Sequence, residues 1–363
     1  MMRFALRAAL ALATFAPLSG CLFEPGPEQL NRSAPADPWE ALDQSLTEAP
    51  GNPEEFTSEL VPTGLLADMT PLVGELYEPP TNWWNLKIKN APVDPNSDAI
   101  IATIAGYDAN GGRLHPDFAP EWGIPYTVVD ESTPLVPVEF GYESESDAGA
   151  PGAPPGYPIP AAAISDPRYI ESGGSSEGDR HLLVFDRDRR ISFELARASY
   201  SNGRWSASCG AVFKLDVNHR RPDGWTSADA AGLCVLAGLM RYDELYGPWP
   251  IRHALRVSIR RTNGHVWPAS HTGATDASAP PLGMRLRLKK HVDTRAYPLH
   301  LRKIFTVMRT YGLIVADRGG NMYVQGTMDE RWDNGVLNPI FHDLKVTDFE
   351  VIQLGWNPHA SSN

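Results

Sequence analysis

Alternation of apolar and polar residues dominates the second half of the chain. Ile191, Phe193 and Leu195 alternate with Ser192 and Glu194. Cys209, Ala211, Phe213 and Leu215 alternate with Gly210, Val212, Lys214 and Asp216. His253, Leu255, Val257 and Ile259 alternate with Arg252, Ala254, Arg256, Ser258 and Arg260, and Met284, Leu286 and Leu288 with Arg285, Arg287 and Lys289. A period of two is that of a strand with one buried face. Arg180–Phe185 reads as the strand before the turn Asp186–Arg190, which returns into 191–196. Asp98–Ile104 and Pro125–Val129 read as further strands. Leu313–Ala316 and Met322–Val324 flank Asp317-Arg318-Gly319-Gly320, the pattern of a hairpin. One helix is expected, because Leu299, Ile304, Phe305, Met308 and Tyr311 keep helical spacing between Pro298 and Gly312. The pattern predicts a β-rich domain, an antiparallel sandwich or jelly roll, with a few short helices.

The first residues break this pattern. Arg3 and Arg7 precede an apolar run, Ala8 to Pro17, that is short for a bilayer span. The run ends at Leu18-Ser19-Gly20-Cys21, which resembles the bacterial lipobox. The resemblance implies a signal segment over 1–20, export from the cytoplasm, a lipid on Cys21 and a membrane anchor in the cell envelope. Residues 21–75 are proline-rich and read as a tether, with helical turns possible at Trp39–Leu46 and Leu65–Leu76. Within them, 22–60 hold nine acids and one base. The folded part is expected over 76–363, beginning near Asn82-Trp83-Trp84-Asn85, with a Pro/Gly-rich loop at 147–160.

The formal charge of −12 conceals two unlike parts. Residues 1–150 carry 23 acids and 6 bases, and residues 151–363 carry 21 acids and 26 bases. Side chains two apart on a strand share a face, so Arg252, Arg256 and Arg260 form one row and Arg285, Arg287 and Lys289 another. Exposed side by side, the rows would suit an anionic polysaccharide or a lipid headgroup. Left without a partner, they are a solvated face that discourages edge pairing. The overall negative charge and the expected export argue against nucleic acid.

Acid–base chemistry needs carboxylates or imidazoles in one cleft. The candidates are Asp179, His181, Asp243, Glu244, His253 and His271. His181 and His253 fall on the apolar phase of their strands, where each must find a partner. Arg180, Arg241 and Arg256 could hold an anionic substrate, and Trp225, Trp267 and Trp332 could stack on sugar rings or staple loops to the core. Gly174-Ser175-Ser176-Glu177-Gly178 has the letters of a nucleophile elbow, but a strand follows it rather than a helix, so it reads as a loop. His253, His265 and His271 lack standard metal-ligand spacing. With no CxxC, HExxH, P-loop or dinucleotide motif, no metal or cofactor is expected. In an exported chain Cys209 and Cys234 could pair or stay as buried thiols.

Several strings together resemble a family of exported bacterial proteins. They are Asp179-Arg180-His181, Arg221 to Leu233, Arg241-Tyr242-Asp243-Glu244, His253-Ala254-Leu255-Arg256, His265-Val266-Trp267-Pro268-Ala269 and Arg331-Trp332-Asp333-Asn334. The resemblance spans about 82–352. It implies one continuous domain and a protein acting on polysaccharide, and it supplies no catalytic assignment. The expected function is therefore a lipid-anchored glycan hydrolase or lyase with an anionic substrate. The alternative is a surface protein that binds polysaccharide or envelope components without catalysis.

Overall fold

The computed structural model describes residues 79–118, 121–147, 153–175, 178–247 and 250–360. The expected signal segment, Cys21, the expected tether and the helical turns expected within it, residues 148–152 of the Pro/Gly-rich loop, Ser176 and Trp249 lie outside the described residues. Thirteen strands in three mixed sheets and five short α-helices make up the described part.

The largest sheet contains β1 (His115–Asp117), β9 (Leu255–Ile259), β10 (Arg285–Leu288), β11 (Leu313–Arg318), β12 (Tyr323–Gln325) and β13 (Phe349–Val351), ordered β1-β12-β9-β11-β10-β13. A four-stranded sheet orders β2 (Tyr126–Val129), β4 (Leu182–Asp186), β5 (Ile191–Ala196) and β8 (Cys209–Lys214) as β2-β4-β5-β8. The smallest joins β3 (Val138–Phe140), β7 (Arg204–Ala207) and β6 (Ser199–Ser201). The β-rich expectation holds. Pairing is mixed rather than wholly antiparallel, since β2–β4, β9–β11, β1–β12 and β3–β7 are parallel.

The β4–β5–β8 meander forms where alternation placed it, with Val184 opposite Phe193 and Phe193 opposite Val212. Two local readings change. Residues 98–104 lie in helix α1 (Ser97–Ala105), whose buried Ser97, Ile101 and Ile104 follow helical spacing. The expected hairpin across Asp317–Gly320 does not pair with itself, because β9 enters between its arms, parallel to β11 and antiparallel to β12. Short helices α2 (Val235–Gly238) and α3 (Tyr242–Tyr246) lead into β9. Helix α4 (Leu299–Thr310) forms as expected and buries Leu301, Ile304, Phe305 and Met308. Each such side chain is worth roughly 1.5–3 kcal/mol when fully buried. Gly312 ends this turn at φ +81°, where a Cβ would lie 2.5 Å from the Leu286 carbonyl oxygen. Helix α5 (Asn334–His342) closes against β1.

All five positions of β9 are buried, and so are all four of β10. Both faces of this part of the sheet are covered, so the polar phase points into protein rather than solvent. Arg256 is 0% exposed, and Arg285 and Arg287 are also buried. Arg285 donates to the Tyr311 carbonyl at 2.8 Å, and Arg287 pairs with Glu350 at 2.8 Å. The expectation of an exposed positive surface from these rows is therefore corrected: their inner members are structural cations. Cys209 and Cys234 are both buried thiols, not joined in a disulfide. The Cys234 thiol donates to Glu194.

Candidate functional site

The six expected acid–base residues do not meet in one cleft. They divide between a cavity beside the bulged end of β11 and a closed cluster on α3.

The closed cluster holds Asp243, Glu244 and His253. Glu244 pairs with Arg241 and stands 3.1 Å from His253 Nε2, while His253 Nδ1 faces the Ala254 carbonyl at 2.8 Å. Lys303 from α4 donates to the Glu244 carbonyl at 3.0 Å. Burial works against the charge on Glu244, but Arg241 and His253 outweigh it and hold the carboxyl below its usual range. Asp243 is pushed up to about 6 by burial, with Arg241 opposing. All of these side chains are buried, and they join α3 to α4 and the start of β9. Arg241 and Trp332 are therefore corrected from substrate contacts to core. Trp332 donates its indole N–H to the Thr327 carbonyl at 2.8 Å and packs on Phe118.

The cavity has a volume of about 210 Å³, and Asp179, Arg197, Ser227, Asp229 and Asp317 contribute to its wall. Two local structures aim its carboxylates. In the first, an extra residue, Ala316, sits in β11 opposite β9, so the register steps from Val315–Val257 to Asp317–Ser258. Such a bulge re-aims the next side chain, and the Asp317 side chain is 16% exposed just after the four buried residues that open the strand. The second is the loop 226–233, which bonds to itself. Ser227 Oγ donates to the Leu233 carbonyl at 2.7 Å and accepts from the Asp229 N–H at 2.9 Å. Ala231 N–H ties the loop to the Ala316 carbonyl at 3.0 Å. Gly232 turns it at φ +74°, where a Cβ would stand 2.0 Å from Ser270 Oγ.

Arg256 reaches this point from β9. Its Nη2 lies 3.2 Å from Asp229 Oδ2 and 3.8 Å from Asp317 Oδ2. Neither contact is a hydrogen bond, and Asp229 Oδ2 and the three guanidinium nitrogens are buried with no hydrogen-bond partner among the described residues. Asp229 Oδ1 accepts from Ala231 N–H at 3.0 Å. Burial raises both Asp229 and Asp317 above the usual carboxylate range, with Arg256 opposing. Each carboxylate that ionises also raises its neighbours: Asp317 acts on Asp229, and Asp179 on Asp317.

A second layer supports the cavity. His181 is 1% exposed, with Nδ1 2.7 Å from Glu171 and Nε2 2.8 Å from the Ala228 carbonyl. Burial disfavours its charge, but Glu171 overcomes this and lifts it to about 9. The imidazolium therefore fixes the 226–233 loop from behind and is not a proton shuttle at neutral pH. Asp117 on β1 is driven up to about 7 by burial and then by the charge of Glu171, with Arg256 opposing. His271 Nδ1 faces the Ala230 carbonyl at 2.9 Å, behind the cavity wall. Arg180 adjoins Asp179 at φ +46°. Trp225 lies beneath Arg221 at 5.3 Å, and Trp267 meets Trp83 edge-on at 6.3 Å.

Of the residues singled out from sequence, Asp179 lines the cavity and Arg256 stands against Asp229 and Asp317 of its wall, while His181 and His271 brace the loop that carries Asp229. Asp117, Glu171, Asp229 and Asp317 were missed. Asp229 lay inside the longest string, and Asp317 followed four apolar residues, which is a signal for a carboxylate at the mouth of a buried strand. Glu171 had no signal. Among the described residues, no group of three or more His, Cys, Asp or Glu is arranged to hold a metal ion, and no helix is long and apolar enough to cross a membrane. Comparison with protein-family models, curated proteins and solved structures returned no match.

Proposed function

We propose that the protein is a glycan hydrolase, carried on the outer side of a bacterial membrane by a lipid on Cys21, and that the 210 Å³ cavity is its reaction site. The observation that carries this reading is the pair of raised carboxylates, Asp229 and Asp317, that share Nη2 of Arg256. Hydrolysis of a glycosidic bond needs one carboxyl that keeps its proton near neutral pH and another group that activates water. Asp317, partly exposed at the cavity wall, is the general acid that protonates the leaving oxygen. Asp179, in the same wall, is the base that takes a proton from water. Asp229 and Arg256 set the charge around Asp317, and His181 and Glu171 position the loop.

The acidic wall favours hydrolysis over elimination. A lyase must neutralise the carboxylate of a uronic acid next to the reacting carbon, and the buried cation beside the cavity, Arg256, is already paired with Asp229 and Asp317. The sugar entering the cavity is therefore neutral. The volume lies below the roughly 300–1,000 Å³ of drug-sized sites, which suits one ring or a chain end. The test is a panel of neutral and acidic polysaccharides incubated with the protein, reading new reducing ends and unsaturated products. Reducing ends without unsaturation from a neutral glycan are expected. Unsaturated products, or release from none of the panel, would overturn the reading, the latter leaving the non-catalytic binding protein.

A further inference from the structure

A second and larger concavity shares no lining residue with the first. It has a volume of about 780 Å³, and its wall includes Leu86, Lys87, Arg190, Asp216, Arg252 and Tyr311. Three cations from three distant parts of the chain face one acid. Lys87 and Arg252 are exposed and form no ion pair among the described residues. Arg252 is the outer member of the basic row whose centre, Arg256, is buried. Leu86 and Tyr311 are 7% and 8% exposed and make a closed apolar floor.

We propose that this groove binds an acidic oligosaccharide, its carboxylates held by Lys87 and Arg252 and its C–H faces against Leu86 and Tyr311. The proposal rests on the glycan part of the reading above. The size falls within the roughly 300–1,000 Å³ range of small-molecule sites, enough for a few sugar units. Guanidinium and ammonium groups are the side chains that recognise carboxylate, and Arg does so with two parallel N–H donors. A membrane headgroup fits less well. The cations line a concave surface, and among the described residues none of the exposed large apolar side chains, such as Trp122, Val217 or Leu299, lies in its wall to enter a bilayer. Acid-binding and acid-lined sites on one molecule would let a mixed polysaccharide be held through its charged units while a neutral unit is cleaved.

The experiment is calorimetric titration of the protein with a galacturonic acid trimer and, in parallel, with a galactose trimer, at low and high salt. Tighter binding of the acidic trimer by about tenfold or more is expected, weakening as salt screens the cations. K87E/R252E should lose about tenfold or more of that affinity. The milder K87Q/R252Q should lose less, and both should melt at the wild-type temperature, since the replaced side chains are exposed. D317N should bind the acidic trimer as wild type does, so a failure of the hydrolase reading leaves this readout standing. Equal affinity for the two trimers, binding unchanged in K87E/R252E, or capture of phosphatidylglycerol vesicles without trimer binding would overturn the proposal.

Discussion

Arg256→Met tests the electrostatic design of the cavity. The guanidinium is 0% exposed and lies 3.2 Å from Asp229 and 3.8 Å from Asp317. At an effective dielectric constant of ~20 these separations correspond to attractions of about 5 and about 4 kcal/mol. Desolvation of the ions, and Arg256 donors buried without hydrogen bonds, offset part of this. Removing one partner of a buried pair typically costs about 3–5 kcal/mol, because the charge left behind has no compensation. Here the residual charges can take up protons. Both aspartates already sit above their unfolded values, so the folded state binds more protons than the unfolded chain. Stability from such groups is lost as pH rises through the folded values. Without Arg256 those values climb further. The variant should lose about 3–5 kcal/mol at pH 8 and about half as much at pH 5, read by urea unfolding at both pH values. A loss below about 1 kcal/mol at pH 8, or an equal loss at both, would show that Arg256 does not hold two charged carboxylates.

Three further outcomes follow from other contacts. His181→Gln should flatten the pH dependence of stability: the charged imidazole contributes fully below pH ~6.5 and loses its contribution as pH rises through about 9, a swing of about 3 kcal/mol that unfolding curves across this range would show missing in the variant. Glu194→Ala should cost about 3 kcal/mol in urea unfolding, because the carboxylate accepts from Ser192 Oγ, Cys234 Sγ and the N–H groups of Val235 and Leu236 at 2.8–3.0 Å. Gly232→Ala should cost at least about 1–2 kcal/mol from φ +74° alone, and should impair glycan release more than Gly224→Ala, where a Cβ meets open space.

The fold was legible where neighbours in sequence are neighbours in space. The β4–β5 hairpin and the return into β8 follow from alternation, and α4 from its apolar stripe with Gly312 behind it. Reading failed where distant segments decide. The arms on either side of Asp317–Gly320 look like a hairpin, but β9 supplies the long-range partner for both. Residues 98–104 read as a short strand, although Ser97, Ile101 and Ile104 carry the helical period. Helix α5 contains Pro339, which argues against a helix on composition alone. Alternation placed the basic residues of β9 and β10 on one phase correctly. It could not show that the second face of the sheet is covered, which turns Arg256 from a ligand-binding group into the counter-ion of Asp229. Asp317 read as a turn residue because the Ala316 bulge that aims it is set by pairing with β9.

The central claim is that a proton held on Asp317 cleaves a neutral glycan. Its most direct test compares reducing-end release by wild-type protein and Asp317→Asn on the neutral polysaccharide that wild type degrades best, across pH 4–9. The account predicts that the wild-type rate falls at high pH as the raised carboxyl loses its proton, and that the variant is slower by about 100-fold or more with its folded structure intact. A variant that releases reducing ends at the wild-type rate, with the same pH profile, would contradict it.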